Sequence, residues 1–373
     1  MTSVLQREIF FMQKQLDILS NFTLEGTPIS IKPLGNGHIN STFLATYENG
    51  SKFILQKINH YVFKDVSALM ENIDVVNCFL KKKFEKYPTN ILQKTLSVIR
   101  TKDGNKFYMA EDGTYWRVYD YIDNVVSYEI VESPEHFYYA GRAFGNFQKL
   151  LDDFPAETLT ETIPNFHNTV SRYADFEEKI ALNKSGRACE AEEEIAFARK
   201  YKWLAEELHP LIEKGELPLR VTHNDTKLNN LLLDEFTGEP ICVIDLDTVM
   251  PGLSLYDFGD SIRFGSNPAE EDEKDLSKVY SDINLFEAYT KGFLEECGAS
   301  LTEKEIELLP ISALVMTYEC GIRFLGDFVD GDTYFNAKRY EHNLDRARTQ
   351  FKLVKDMEEK LPQMKAIVKK YTR

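Results

Sequence analysis

Between residues 29 and 58 apolar and polar positions alternate, and two turn sequences interrupt them, Gly35-Asn36-Gly37 and Tyr47-Glu48-Asn49-Gly50. A period of two punctuated by Asn-Gly is the pattern of antiparallel hairpins and not of a helix. With Asn49-Gly50 as a two-residue loop, Glu48 opposes Ser51 and Thr42 opposes Lys57. Phe53, Leu55 and Lys57 then share a face, so a cation ends an otherwise apolar row near the glycine turn. Residues 66–84 change to helical spacing, with Leu69, Ile73, Val76 and Leu80 three and four apart. Shorter strand patterns follow at 95–100, 106–110 and 115–121, separated by Lys102-Asp103-Gly104-Asn105 and Glu111-Asp112-Gly113.

Beyond Ile122-Asp123-Asn124 helical spacing dominates, at 139–151, 171–182, 190–214, 301–328 and 337–360. Pro310 and Pro362 are expected to kink or end the last two helices. The pattern predicts an α+β protein with a β-rich part over 1–122 and a mainly helical part over 123–373. A length of 373 residues, at roughly 100–200 per domain, agrees with two such parts. The first 19 residues are broken by Arg7, Glu8, Lys14 and Asp17 and read as an amphipathic helix, not a signal peptide. No run is expected to approach the roughly 18 apolar residues of a membrane span.

Charge narrows the partners. Lys and Arg number 44 against 60 Asp and Glu, a formal charge of −16, which repels nucleic acids and acidic membranes. The five cysteines are odd in number and contain no CxxC pair, so neither a disulfide framework nor a zinc knuckle is indicated. A reducing cytoplasm fits that usage.

The stretch His223-Asn224-Asp225-Thr226-Lys227-Leu228-Asn229-Asn230 contains His-x-Asp-x-x-x-x-Asn. That is the spacing of the kinase catalytic loop, in which the Asp takes a proton from the acceptor hydroxyl and the Asn holds metal. If residues 231–234 and 241–245 form a hairpin with Asp234 opposite Ile241, the same register sets Asn230 opposite Asp245. Opposed residues lie roughly 4.5–5.5 Å apart, close enough for two hard oxygens to share one Mg²⁺. Asp257-Phe258-Gly259 resembles a kinase metal motif, but no short hairpin brings Asp257 opposite Asn230. Asp247, on the face of Asp245, either assists or binds backbone amides. A dinucleotide-binding reading of the glycine turn fails, because residues 40–47 continue as strand where a helix is required, and there is no GxxxxGK. Each element alone has an ordinary structural reading; their order along the chain points to phosphate transfer.

The sequence resembles the aminoglycoside phosphotransferase and choline kinase-like superfamily, and within it the N-acetylhexosamine 1-kinases, over nearly the whole chain. The resemblance rests on the segments beginning at Gly35, Phe53, Trp116 and Ile163, and most specifically on His223 to Asn230, Val243 to Gly252 and Tyr256 to Asp260. It implies a protein kinase-like fold of two lobes, a small antiparallel sheet with a helix and a larger helical lobe, with ATP and Mg²⁺ as cofactors. ATP is then held between the lobes by Gly35, Gly37 and Lys57 and by the backbone of Asp120, Tyr121 and Ile122. Relatives often carry Arg in place of Lys57; Glu71 is either its helix partner or a solvated charge. Asp225 becomes the base and Asn230 and Asp245 the metal ligands, while Lys227 either neutralises the γ-phosphate or is a surface lysine.

The acceptor site implied is His38, Arg323 and Tyr334 beside Asp225, against an alternative in which Arg323 and Asp327 form a plain i,i+4 ion pair. His167 reads as a satisfied helix-start or core histidine, and Asp257 and Asp260 as braces of the catalytic loop. The activity implied is phosphorylation of the anomeric hydroxyl of N-acetylglucosamine or N-acetylgalactosamine. The alternatives are a kinase of the same fold for choline, homoserine, methylthioribose or an aminoglycoside, and a catalytically dead binding module. Expected partners are the small sugar acceptor and ATP, with no nucleic acid and no membrane, in a monomer or small homo-oligomer.

Overall fold

The computed structural model describes residues 13–35, 39–87 and 91–372. The chain divides into two compact units, Met1–Pro88 with Lys94–Val125, and Thr89–Gln93 with Val126–Arg373. The first contains β1 (Pro28–Pro33), β2 (Ser41–Tyr47), β3 (Lys52–Ile58), α1 (Val66–Lys86), β4 (Val98–Ile99), β5 (Tyr108–Met109) and β6 (Tyr115–Asp120). Its sheet runs β1-β2-β3-β6-β4, with β5 also on β6, and these pairings are antiparallel. Phe43, Ala45, Leu55, Trp116 and Val118 face inward at the alternation the sequence predicts, and pack with Ile18, Leu19 and Phe22. The Asp65 side chain caps α1 by accepting from the Ala68 amide.

The first hairpin departs from the expected register by one residue. Tyr47 N–H donates to Ser51 C=O at 2.9 Å, so the loop is Glu48-Asn49-Gly50 and Ser41, not Thr42, opposes Lys57. Gly50 at φ 84° and the Asn49 side chain, which accepts from the Ser51 amide, favour this three-residue turn over the two-residue one. The face shared by Phe53, Leu55 and Lys57 survives, since parity along β3 does not depend on the loop.

The changeover lies at β7 (Val125–Val126), and the second unit contains α2 (Pro134–Leu150), α3 (Thr169–Leu182), α4 (Glu192–Lys200), α5 (His209–Glu213), β8 (Arg220–Thr222), β9 (Leu231–Asp234), β10 (Pro240–Val243), β11 (Met250–Gly252), α6 (Ser254–Gly265), α7 (Ile283–Cys297), α8 (Glu303–Asp330) and α9 (His342–Tyr371). A single cut at residue 122 therefore needs amending: Gln93 belongs with the second unit, its amide donating to Ile241 C=O at 3.1 Å. The long helix expected over 190–214 is broken into α4, a 3₁₀ turn at Lys202–Glu206 and α5.

Neither proline ends its helix. Pro310 is buried inside α8 and Pro362 lies within α9. α8 packs on α6, α3 and α9, and burial along its length outweighs the roughly 3 kcal/mol a helical proline costs. An 18-residue window of α8 reaches a mean hydropathy of 1.4, so by length and composition it qualifies as a span, contrary to expectation; 83% of that window is buried within the protein, as in a core helix.

Backbone contact between α2 and α7 is built on glycine. A Cβ at Gly141 would stand 2.3 Å from Tyr289 O, one at Gly145 2.6 Å from Phe293 O, and one at Gly292 2.3 Å from Tyr138 O. That closeness fixes α2, which carries Gln148 toward the catalytic loop.

Candidate active site

The loop after β8 is held by buried side chains from three other elements. β8 pairs with β11 through Thr222 and Met250, and the chain then enters Asn224 in a left-handed conformation, φ 64°. Both oxygens of Asp257, at the start of α6, accept backbone amides: His223 N–H at 3.0 Å and Asn224 N–H at 2.8 Å. Gln148 of α2 donates to the same carboxyl at 2.6 Å. Asp260 accepts the Thr226 amide at 3.1 Å, and Thr226 donates its hydroxyl to Asp257 C=O. Asp257 and Asp260 thus brace the loop, as the sequence leads one to expect. Burial of Asp257 pushes its carboxyl up, more than the hydrogen bonds donated by the His223 and Asn224 amides and by Gln148 pull it down.

Both ring nitrogens of His223 are engaged. Its Nε2 donates to Ile244 C=O at 2.8 Å, and its Nδ1 accepts from the Asp225 amide at 3.3 Å. Asp225 then projects with its side chain 31% exposed, the one carboxylate of the loop turned outward. Lys227 Nζ lies 3.0 Å from its Oδ1, and Asn230 Nδ2 donates to its Oδ2 at 3.1 Å and to its main-chain carbonyl at 2.8 Å. Burial pushes the Asp225 carboxyl up, but the Lys227 charge and hydrogen bonds from Lys227 and Asn230 hold it below the ordinary value of 3.8. Asp225 in turn holds the Lys227 ammonium above its ordinary range, against burial. Lys227 is therefore not a free surface lysine.

The hairpin after this loop corrects the expected metal geometry. Asp234 Oδ1 accepts the amides of Phe236 and Thr237, and Gly238 at φ 72° closes a loop in which Asp234 N–H donates to Glu239 C=O. A register shift between Pro240 and Cys242 then restores one residue, so Leu231 opposes Val243 and Ile244 N–H donates to Asn230 C=O at 2.9 Å. Asn230 consequently faces Ile244, not Asp245. Asp245 follows in a left-handed conformation, φ 59° and ψ 56°, where strand pairing has ended. Opposition across the ladder does not join Asn230 to Asp245, and among the described residues no group of three His, Cys, Asp or Glu forms a metal cluster.

Arg323 of α8 does not pair with Asp327. Its guanidinium lies 5.7 Å from the Phe166 ring and 5.6 Å from the Phe335 ring, with Glu319 at 4.0 Å. Asp327 instead accepts the amides of Thr333, Tyr334 and Phe335, which folds the segment after α8 back and sets the Tyr334 ring 4.8 Å from Phe335. Arg323 and Tyr334 are thus brought to one cluster. Arg172, unremarked in the sequence, joins it by donating to Phe166 C=O at 3.0 and 3.1 Å. Burial pulls its guanidinium down and the like charge of Arg323 adds to that. His167 is buried and satisfied, as read from the sequence, and its partners are Glu319 of α8 at 2.8 Å and Asn224 C=O of the loop at 3.2 Å. Glu319 could have been noticed as a lone carboxylate in an apolar helical run; Gln148 gave no such signal.

In the first unit, Lys57 sits on β3 opposite Ser41 and Trp116. Glu71 is 61% exposed and pairs with Lys106, so it is a surface charge and not the partner of Lys57. Gly35 has φ 69°. Gly37 and His38 lie outside the described residues. After β6, Asp120 exchanges hydrogen bonds with Ser97, its amide donating to Ser97 C=O at 3.2 Å, and Lys52 lies 5.2 Å over the Tyr121 ring. Ile122 is buried beside them.

The phosphotransferase enzyme family APH matches residues 30–289. A microcompartment-associated aminopropanol kinase superposes with a TM-score of 0.61 at 15% identity, covering 97% of this chain and 99% of its own. A choline kinase from Cryptosporidium parvum Iowa II gives 0.57 at 13% identity over 96% and 99%. The amicoumacin kinase hAmiN, solved with AMP-PNP, Ca²⁺ and Ami, gives 0.57 at 14% identity over 93% of each chain. At these identities the likeness is one of fold.

Proposed function

The chain belongs to the phosphotransferase enzyme family, and from that premise we propose that it transfers the γ-phosphate of ATP to the anomeric hydroxyl of an N-acetylhexosamine, giving the sugar 1-phosphate. Asp225 is the base in this reading. Its carboxylate is kept ionised by Lys227 and Asn230, so it orients the acceptor hydroxyl and takes its proton as the phosphorus–oxygen bond forms. Lys227, already charged beside it, offers a cation to the γ-phosphate, and Lys57 and Gly35 serve the nucleotide with the backbone of Asp120, Tyr121 and Ile122. The hAmiN complex with AMP-PNP and Ca²⁺ supports a nucleotide with a divalent cation.

Asn230 spends its amide nitrogen on Asp225, which leaves its oxygen as the atom to offer a metal, and Asp245 supplies a second hard oxygen. Oxygen donors suit Mg²⁺, which when bound offsets negative charge on phosphate oxygens. The fit is one of donor type.

The observation that carries the sugar assignment is the cationic acceptor cluster. Arg172 and Arg323 meet around Phe166 with Tyr334 beside them, and the Glu319 carboxylate lies 4.0 Å from Arg323. Such donors suit hydroxyl and acetamido oxygens and reject ammonium groups. The −16 charge favours the second reading, a kinase for choline, another amino alcohol or an aminoglycoside; the paired arginines count against it. Retention of Asp225, Asn230 and Asp245 counts against a catalytically dead module. We place the enzyme in the cytoplasm, as a monomer or small homo-oligomer.

The test is ADP release with Mg²⁺-ATP across N-acetylhexosamines, choline, homoserine, methylthioribose and aminoglycosides. Acceleration by an N-acetylhexosamine, lost in Asp225→Asn and weakened in KM for the sugar in Arg323→Met, is the expected result. Acceleration by a cationic acceptor alone sinks the sugar assignment, and an unimpaired Asp225→Asn sinks the base.

A further inference from the structure

His167 stands just before α3 with its ring buried between two oxygens. Nδ1 is 2.8 Å from Glu319 Oε1, and Nε2 is 3.2 Å from the main-chain oxygen of Asn224. A carbonyl oxygen accepts hydrogen bonds and never donates them, and an ionised carboxylate is likewise an acceptor only. Glu319 is ionised, with the Thr169 hydroxyl donating to its Oε2 at 2.6 Å and the Arg323 guanidinium 4.0 Å from its Oε1. Either neutral tautomer would aim a nitrogen lone pair at an oxygen in a buried position. Glu319 and Arg323 come from α8, Tyr256 from α6 with its ring centroid 5.3 Å away, and Phe166 flanks it at 4.5 Å.

We propose that His167 is a doubly protonated positioning residue, an imidazolium strut that fixes the Asn224 carbonyl, and through the next peptide Asp225, to Glu319 and the arginine cluster of the acceptor side. Asn224 needs such a hold. It is a non-glycine residue at φ 64°, and every polar group of its backbone is engaged: the amide on Asp257 and the carbonyl on His167, while its side chain donates to Thr248 C=O at 2.9 Å. The contrast with His223 is chemical. That ring meets one donor and one acceptor, whereas His167 meets two acceptors. The strut joins residues 152 apart in sequence and ends one residue from the proposed base.

The proposal rests on Asp225 being that base, and the experiment separates the two. In protein labelled with ¹⁵N-histidine, a long-range ¹H–¹⁵N correlation at neutral pH should show both ring nitrogens of His167 protonated, and His223 as the Nε2–H tautomer. His167→Gln assigns the signal by removing it. Glu319→Gln, which keeps an acceptor for Thr169 but removes the charge, should turn His167 neutral. Both variants should lower kcat about tenfold to a hundredfold with KM for ATP within about twofold, the mark of a displaced catalytic group and not of general loosening. A neutral His167 in the wild-type spectrum overturns the proposal, even if the variants fail to fold. So does an unchanged kcat in folded His167→Gln. Asp225→Asn should keep the imidazolium and lose activity; if it keeps activity, the base assignment falls while the His167 spectrum still decides the strut.

Discussion

Asp225 and Lys227 keep each other charged across 3.0 Å, and that reciprocity sets the pH at which the proposed base works. With its carboxyl held below 3.8, Asp225 is ionised throughout the neutral range, so kcat/KM should show no acid limb above about pH 5. Lys227→Met removes the largest attraction that lowers it. Burial then pushes the carboxyl up unopposed by that cation, so the acid limb should move to higher pH, in addition to any loss of phosphate binding. A pH–rate profile showing the limb unmoved would separate Lys227 from the base. The chemistry of this loop could be read from the chain because Asp225, Lys227 and Asn230 lie within six consecutive residues, where spacing alone conveys geometry. The pairing of His167 with Glu319 could not, since no spacing rule connects residues so far apart; only the fold makes them neighbours.

Among the elements, two junctions govern how the loop is held. Glu305 is fully buried at the start of α8, completes a capping box with Thr302, and accepts from Arg220 of β8 and Ser254 of α6. Burial pushes its carboxyl up, but Arg220 and the Thr302 amide bring it below 4.5. A lowered carboxyl contributes stability present above the unfolded value of about 4.5 and lost as pH falls through the folded one. Glu305→Ala leaves Arg220, whose side chain is only 12% exposed, to Asp152 and the Ser300 carbonyl, and should cost about 1–3 kcal/mol, read as a fall in the urea midpoint. Its acid-induced loss of stability below pH 4.5 should also shrink. At the second junction, Gly292→Ala forces a methyl against the Tyr138 carbonyl, and a loss of about 1–3 kcal/mol in thermal melting is expected. Strand parity and helix faces were legible at this scale because burial repeats along the sequence. Loop length was not: in both hairpins, turn hydrogen bonds from Asn49 and Asp234 shift the register by one, and the second shift removes the ladder argument for Asn230 and Asp245. Pro310 does not end its helix because tertiary burial outweighs a local helix penalty, and α9 likewise continues past Pro362.

At the scale of the whole molecule, the −16 charge and the arginine cluster act on different ranges. The net charge draws cations from a distance and is screened within about 10 Å at 0.1 M salt, while Arg172 and Arg323 act on contact. For a neutral N-acetylhexosamine, kcat/KM should therefore be nearly flat in salt from about 0.02 to 0.5 M, at saturating nucleotide. A cationic acceptor would instead show a steep decline with salt, and that slope in the productive acceptor would argue for the second reading. The small antiparallel sheet unit and the larger helical one were foreseeable from the change of period after residue 122, because each unit draws on one kind of repeat. Five residues escape that rule.

Those residues, Thr89–Gln93, belong to the second unit although they come before the last strands of the first. Ile91 and Leu92 are buried at 3% and 2% exposure, and Gln93 anchors to Ile241 C=O. The two units are therefore interleaved in the gene. A polypeptide begun at Val126 would lack buried Ile91 and Leu92, and one ended at Val125 would carry those apolar side chains without the unit that covers them. A single cut in the reading frame therefore separates neither unit whole, and an exchange of either one needs more than one cut.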